Sequence, residues 1–202
     1  MANIYAGNNG IPQGEAFKSA TGVALCGFRQ NQYTIGAFTT QVKIGNLDPK
    51  TLLPCTPVSI KNDNAEANGT DIFTGFNPKT FAIEKAVVSN TDKIDGFILE
   101  DGMYVTDEAG NAGIPLEHGT VQVGKIGSGV QVFLPANANL VNVNLSTALY
   151  WDPTNKEITT TSADMVALTG VQLLSSVING KVRKLAGDTI AWEDCTCVLV
   201  QL

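Results

Sequence analysis

This 202-residue chain carries one histidine, four cysteines and nineteen carboxylates, so the spacing of these groups, rather than their number, decides what chemistry they could do. The single histidine, His118, sits in the turn-like Glu117-His118-Gly119, and no serine or cysteine lies in a strand-turn-helix elbow that would make it a nucleophile beside that imidazole. The four cysteines are Cys26, Cys55, Cys195 and Cys197. Only Cys195-Thr196-Cys197 forms a close pair, whose thiols face one way on a strand, whereas zinc sites draw on two such Cys or His pairs. The cysteines are read as small buried hydrophobes with free thiols. The neighbouring carboxylates Glu100-Asp101 and Glu193-Asp194 would face opposite ways along a strand, so neither makes a convergent acid and base. No catalytic residue, cofactor or metal site is expected.

The elements that carry these residues read as strands. Beyond Val58, short β-branched or aromatic runs alternate with turn signals every eight to twelve residues or so, the punctuation of an all-β unit. The runs include PVSI, TFAIEKAVV, IDGFILE, GTVQVGKI, GVQVFLP, TALYWDP, EITTT, KVRKL and CTCVLVQL. Turns are expected at Asn68-Gly69, Asp101-Gly102, Gly110-Asn111, Gly127-Ser128-Gly129 and Asn179-Gly180. Gly124-Lys125-Ile126-Gly127-Ser128-Gly129 lies between two strands rather than between a strand and a helix, so it is a tight turn and not a phosphate cradle. It is expected to join Val121–Val123 and Val130–Leu134 as a hairpin. Glycine and asparagine break up the first 57 residues, where only Glu15–Leu25 has helical character, and Pro49, Pro54 and Pro57 suit a linker or an edge strand.

Hydrophobic residues make up 44% of the chain and charged residues 16%, against about 25% charged in an average domain. The surface is therefore dominated by Asn, Gln, Thr, Ser and Gly. The formal net charge of −6 argues against wrapping nucleic acid, which needs clustered Lys and Arg. Lys18, Arg29, Lys43 and Lys50 outnumber Glu15 and Asp48 in the first 57 residues, so the acidic excess belongs to the rest. No apolar run is long enough to span a membrane. The opening MANIYAGNNGIPQGEAF has neither the basic nor the apolar region of a signal peptide, so synthesis and retention in a cytoplasm are expected.

The most informative stretch is Gly129-Val-Gln-Val-Phe-Leu-Pro135, a polar connection through Leu145, then Thr147-Ala-Leu-Tyr-Trp-Asp-Pro-Thr-Asn-Lys-Glu-Ile-Thr-Thr-Thr161. Leu168-Thr-Gly-Val171 and Cys197–Leu202 follow as a closing pair. This order resembles the small β-barrel of tailed-bacteriophage capsid decoration, or cement, proteins over roughly residues 95 to 202. In this chain Ser146-Thr147-Ala148 stands where the family sets a glycine, and the first 57 residues have no counterpart in its shortest members.

The expected protein is all-β: an extended N-terminal arm and linker, 1–57, then a β-barrel or sandwich, 58–202, with two lobes (58–113 and 114–202) left open. The resemblance implies a non-enzymatic virion protein on the outer surface of a capsid, bound to the major capsid protein and to neighbouring copies of itself as a homo-oligomer. Contact with nucleic acid or membrane is not implied. Ile4, Tyr5, Ile11 and Phe17 are scattered apolar residues that the arm cannot bury by itself, so a partner is expected to cover them. Tyr150 and Trp151 must point to opposite faces of their strand; the larger Trp151 is expected in the core and Tyr150 outside, as a further partner-binding candidate. The alternative is a carbohydrate- or receptor-binding module of a virion fibre, with exposed aromatics among Tyr104, Tyr150 and Trp151 stacking on sugars.

Overall fold

The structure, a computed structural model, describes residues 23–28, 30, 40–44, 46–62, 81–99, 120–141, 144, 146–186 and 189–202. Among them the protein is all-β. In chain order the strands are β1 (Ala24–Leu25), β2 (Thr40–Lys43), β3 (Pro57–Asn62), β4 (Phe81–Ala86), β5 (Gly96–Ile98), β6 (Thr120–Lys125), β7 (Gln131–Pro135), β8 (Tyr150–Asp152), β9 (Glu157–Thr159), β10 (Val166–Ala167), β11 (Gln172–Leu173), β12 (Ile178–Ala186) and β13 (Thr189–Gln201).

Strands β2-β4-β3-β5-β6 return on themselves as a closed barrel. Its closing contact is a parallel pairing of β2 with β4 at Lys43 and Ala82, and the other neighbours are antiparallel. Val42, Ile44, Leu52, Val58, Ile83, Ile98, Val121 and Val123 fill it. The period-two alternation of β6 explains its share, since Val121 and Val123 are buried while Gln122 between them is half-buried. β5 is apolar on both faces because two cores meet there. Ile98 points into the barrel, whereas Phe97 and Leu99 belong to the larger core on the other side.

That larger core lies under two further sheets. One runs β1-β12-β13-β11, with β7 also paired to β13, and the other is the three-stranded β10-β8-β9. β13 is central. Its first part pairs with β12 through Cys197, and its last residues pair with β7 from Cys197 to Gln201 and with β11 at Val200 and Gln201.

Several sequence expectations change. Pro57 opens β3, and residues before it are built into the body: β2 is a barrel stave, and β1 lies parallel to β12. Ala24 and Leu25 are thus strand rather than the end of a helix. The proline-rich stretch is not an extended linker; Asp48 caps a single 3-10 turn, Pro49–Thr51, by accepting the Lys50 N–H at 2.9 Å, and this turns Leu52 into the barrel. The barrel takes strands from both sides of residues 57/58 and of residues 113/114, so neither boundary divides the packing. Residues 1–22, 29, 31–39 and 45 of the expected arm and linker lie outside the described residues.

The expected hairpin between β6 and β7 does not form. Gly127 (φ 86°) and Gly129 (φ 76°) do turn the chain, but β6 stays in the barrel while β7 leaves to pair with β13. The Gly129 N–H donates to the Leu202 carbonyl at 2.7 Å, and the Leu202 N–H to Val130 at 2.8 Å, so the ladder partner of β7 comes from the far end of the sequence. Asn179-Gly180 is likewise no turn. Both residues lie inside β12.

Candidate functional site

The aromatic hairpin is the best-built of the expected sites. β8 pairs with β9 in the register Tyr150↔Thr159, Trp151↔Ile158 and Asp152↔Glu157, and with β10 through Val166↔Trp151 and Ala167↔Tyr150. Trp151 is 1% exposed between buried Ile158 and Val166. Its ring meets Phe97 edge-on, with centroids 5.3 Å apart and planes at 66°, a favoured aromatic geometry. Tyr150, on the opposite face, is half-buried, beside buried Thr159 and exposed Ala167. The sequence expectation for the two rings holds, and Trp151 is removed from any role as a sugar-stacking platform.

Asp152 sets the turn that follows. Its buried carboxylate accepts the N–H groups of Thr154 at 2.8 Å and Asn155 at 2.9 Å, and the Asn155 side-chain amide at 2.7 Å. Burial pushes the Asp152 carboxyl up, but the hydrogen bonds from Asn155 and Thr154 outweigh it and hold the group below the usual carboxylate value. An Asp-Pro-Thr-Asn sequence supplies all of this locally, the proline fixing the chain direction and the aspartate gathering the freed amides. Lys156 then takes φ 58° and donates its N–H to the Asp152 carbonyl at 2.8 Å.

The remaining chemical candidates do not converge on a substrate. Glu193 and Asp194 face opposite sides of β13, and each meets a lysine of β12: Lys184 at 3.2 Å and Lys181 at 2.7 Å. Among the described residues no group of three or more His, Cys, Asp or Glu side chains is arranged to hold a metal ion. The cysteines are free; Cys26, Cys55 and Cys197 are buried and Cys195 is half-buried. Ile4, Tyr5, Ile11 and Phe17, together with Glu100, Asp101, Tyr104 and His118, lie outside the described residues.

One relationship escaped the sequence reading. Thiols 169 residues apart in sequence meet here, Cys26 Sγ and Cys195 Sγ standing 3.7 Å apart, and Cys197 and Cys55 also interact with the Cys26 thiol. The one residue that bears on this meeting, Gly180, reads in the sequence as part of an Asn-Gly turn, and only the structure places it inside β12. Comparison with protein-family models, with curated proteins and with solved structures finds no match to this chain.

Proposed function

We propose that this chain is a capsid decoration protein, which binds the outer surface of a viral shell and strengthens contacts between neighbouring capsomers. The observation that carries the proposal is the course of residues 129–202: a strand, an aromatic hairpin locked by Asp152, and closing strands that pack β7, β11 and β13 side by side. That is the order on which the family resemblance rests. Behind it the barrel shares the larger core through Phe97 and Leu99, giving a rigid body fit to hold a fixed orientation on a lattice. The acidic balance of the chain suits an outer position, because an inner one would face packaged nucleic acid.

In this role the protein is made in the host cytoplasm and ends on the virion exterior, with the major capsid protein and neighbouring copies of itself as partners. The segment with Ile4, Tyr5, Ile11 and Phe17 supplies apolar anchors whose burial comes from those partners, and Tyr150 offers a half-buried aromatic on the outer face of its hairpin. No catalytic group is required.

The test is reconstitution on undecorated shells of the cognate capsid, with occupancy counted by cryo-electron microscopy. Full-length protein is expected at many regular copies per shell, and a variant lacking residues 1–20 to be folded by circular dichroism but to bind at least about tenfold more weakly, the loss of a few buried apolar side chains. Absence of binding by the full chain, or binding unchanged by the deletion, overturns the proposal. A glycan ligand whose binding is lost in Tyr150→Ala would replace it with the carbohydrate-binding alternative.

A further inference from the structure

The sheet around β13 is rolled. β12 and β7 flank β13 on opposite edges at Cys197, which faces Ile178 on one side and Pro135 on the other. The residues after β1 nonetheless touch both flanking strands. The Cys26 N–H donates to the Lys181 carbonyl of β12 at 2.9 Å, and the next N–H, that of Gly27, donates to the Phe133 carbonyl of β7 at 2.9 Å. Side chains on the inner face of this roll therefore meet one another across it.

Register decides which ones. Ala24 lies opposite Gly180, and Gly180 opposite Cys195, so all three share a face; Cys197 and Cys26, each two residues along, share it too. Gly180 keeps the space open. A β-carbon there would stand 2.5 Å from the Cys197 sulfur and 3.2 Å from the Ala24 carbonyl oxygen, so only glycine lets thiols of β13 lie beside the chain that follows β1. The outcome is a Cys26 Sγ to Cys195 Sγ distance of 3.7 Å between residues 169 apart in sequence. Two residues on, Phe28 stacks on Trp192 of β13 with centroids 6.4 Å apart and planes at 16°, a second contact between this segment and β13.

The two thiols differ in the way an exchange reaction needs. Cys195 is half-buried, whereas Cys26, Cys55 and Cys197 are buried, so a reagent from solvent reaches Cys195 first. The hydrogen bond with Cys26 holds the Cys195 thiol below its usual value against the opposing effect of burial, and the charges of Lys184 and Lys181 add to the pull. Hydrogen bonding with Cys195, Cys197 and Cys55, together with burial, pushes Cys26 up.

We propose that Cys195 and Cys26 are a reactive dithiol that exchanges with low-molecular-weight disulfides of the glutathione class and closes into an internal disulfide tying β13 to the segment after β1. Cys195 thiolate attacks one sulfur of the small disulfide, forming a mixed disulfide and releasing the first small thiolate. Cys26 then attacks the Cys195 sulfur of that mixed disulfide and gives up its proton to the second small thiolate as it leaves. Two protein thiols are oxidised and one small disulfide is reduced to two thiols. Closure needs about 1.7 Å of sulfur approach to reach the ~2.04 Å of a disulfide bond.

The experiment treats the native, reduced full-length chain with oxidised glutathione, blocks the remaining thiols by alkylation, and maps the peptides without reductant. The expected result is a mass loss of two hydrogens and a single crosslink joining Cys26 to Cys195. Cys26→Ser should accumulate glutathione at Cys195, and Cys195→Ser should slow thiol loss at least about tenfold. A crosslink through Cys55 or Cys197, a mixed disulfide persisting at Cys195 in the unsubstituted protein, or no reaction in the folded state would overturn the proposal. The peptide map of the unsubstituted chain decides this even where a serine variant folds poorly, and it does so independently of any capsid.

Discussion

Replacing Trp151 with alanine should remove the largest single piece of the core that joins the aromatic hairpin to the barrel. The side chain is 1% exposed and wedged against Phe97 at 5.3 Å, so the substitution deletes most of an indole where the rigid strands β5, β8 and β9 cannot collapse into the gap. Losses of this kind run to about 3–5 kcal/mol. No hydrogen bond is lost with the ring, because the indole N–H is buried with no partner among the described residues. Trp151→Phe should therefore be much milder, near 1–2 kcal/mol, since it leaves an aromatic edge for Phe97 and takes a desolvated donor out of the core. For a chain of this size 3–5 kcal/mol lowers the melting temperature by about 6–20 °C. Urea unfolding of the single variants and of Trp151→Ala with Phe97→Ala closes a double-mutant cycle, expected to show about 0.5–1.5 kcal/mol of coupling. A Trp151→Ala loss under ~1 kcal/mol, or a Trp151→Phe loss as large as that of alanine, would refute the packing argument, while Tyr150→Ala should stay within about 1 kcal/mol because its ring is half-buried.

Asp152→Ala should destabilise by about 1–3 kcal/mol through three lost acceptor contacts, and the difference from the unsubstituted chain should depend on pH in one direction. The folded-state value is depressed, so the stabilisation is complete above the unfolded value near ~4 and fades as pH falls through the lower folded value; unfolding curves between about pH 2.5 and 7 that keep a constant gap would contradict it. Gly96→Ala should cost about 1–3 kcal/mol, because the added carbon would stand 2.5 Å from the Gly124 carbonyl oxygen and 2.7 Å from Val123, and a melting temperature unchanged by this substitution would contradict that close approach of β5 to β6.

What the sequence disclosed divides along local and distant lines. Tyr150-Trp151-Asp152-Pro153 carries its own instructions, since strand alternation sets the two rings on opposite faces and the Asp-Pro turn is complete within a few residues. Both features were legible for that reason. Gly127-Ser128-Gly129 told only half its story: a pair of positive φ angles reports that the chain turns, not that β7 will take β13 as its neighbour. The stretch with Pro49, Pro54 and Pro57 suggests a linker or an edge, and nothing local shows that Leu52 within it fills the barrel. Asn179-Gly180 has the composition of a hairpin turn, but the glycine is needed for the sulfur and carbonyl that crowd it. The meeting of Cys26 with Cys195 was beyond local signals altogether, because it depends on the register of β1 against β12, and no spacing between the two encodes it.

The placement of β13 also sets a timetable for synthesis. Every barrel strand lies between residues 40 and 125, so that unit is complete on the ribosome while the second sheet is still missing its centre. β1 has no ladder partner until Gly180 and Lys181 appear, and Cys26 has no Cys195 until later still. At about 5–20 residues per second the interval is roughly ten to thirty seconds, during which a short apolar strand must stay solvated instead of finding a wrong neighbour. The glycines and asparagines upstream of it, poor strand formers that give a stray edge little to extend, fit that waiting period.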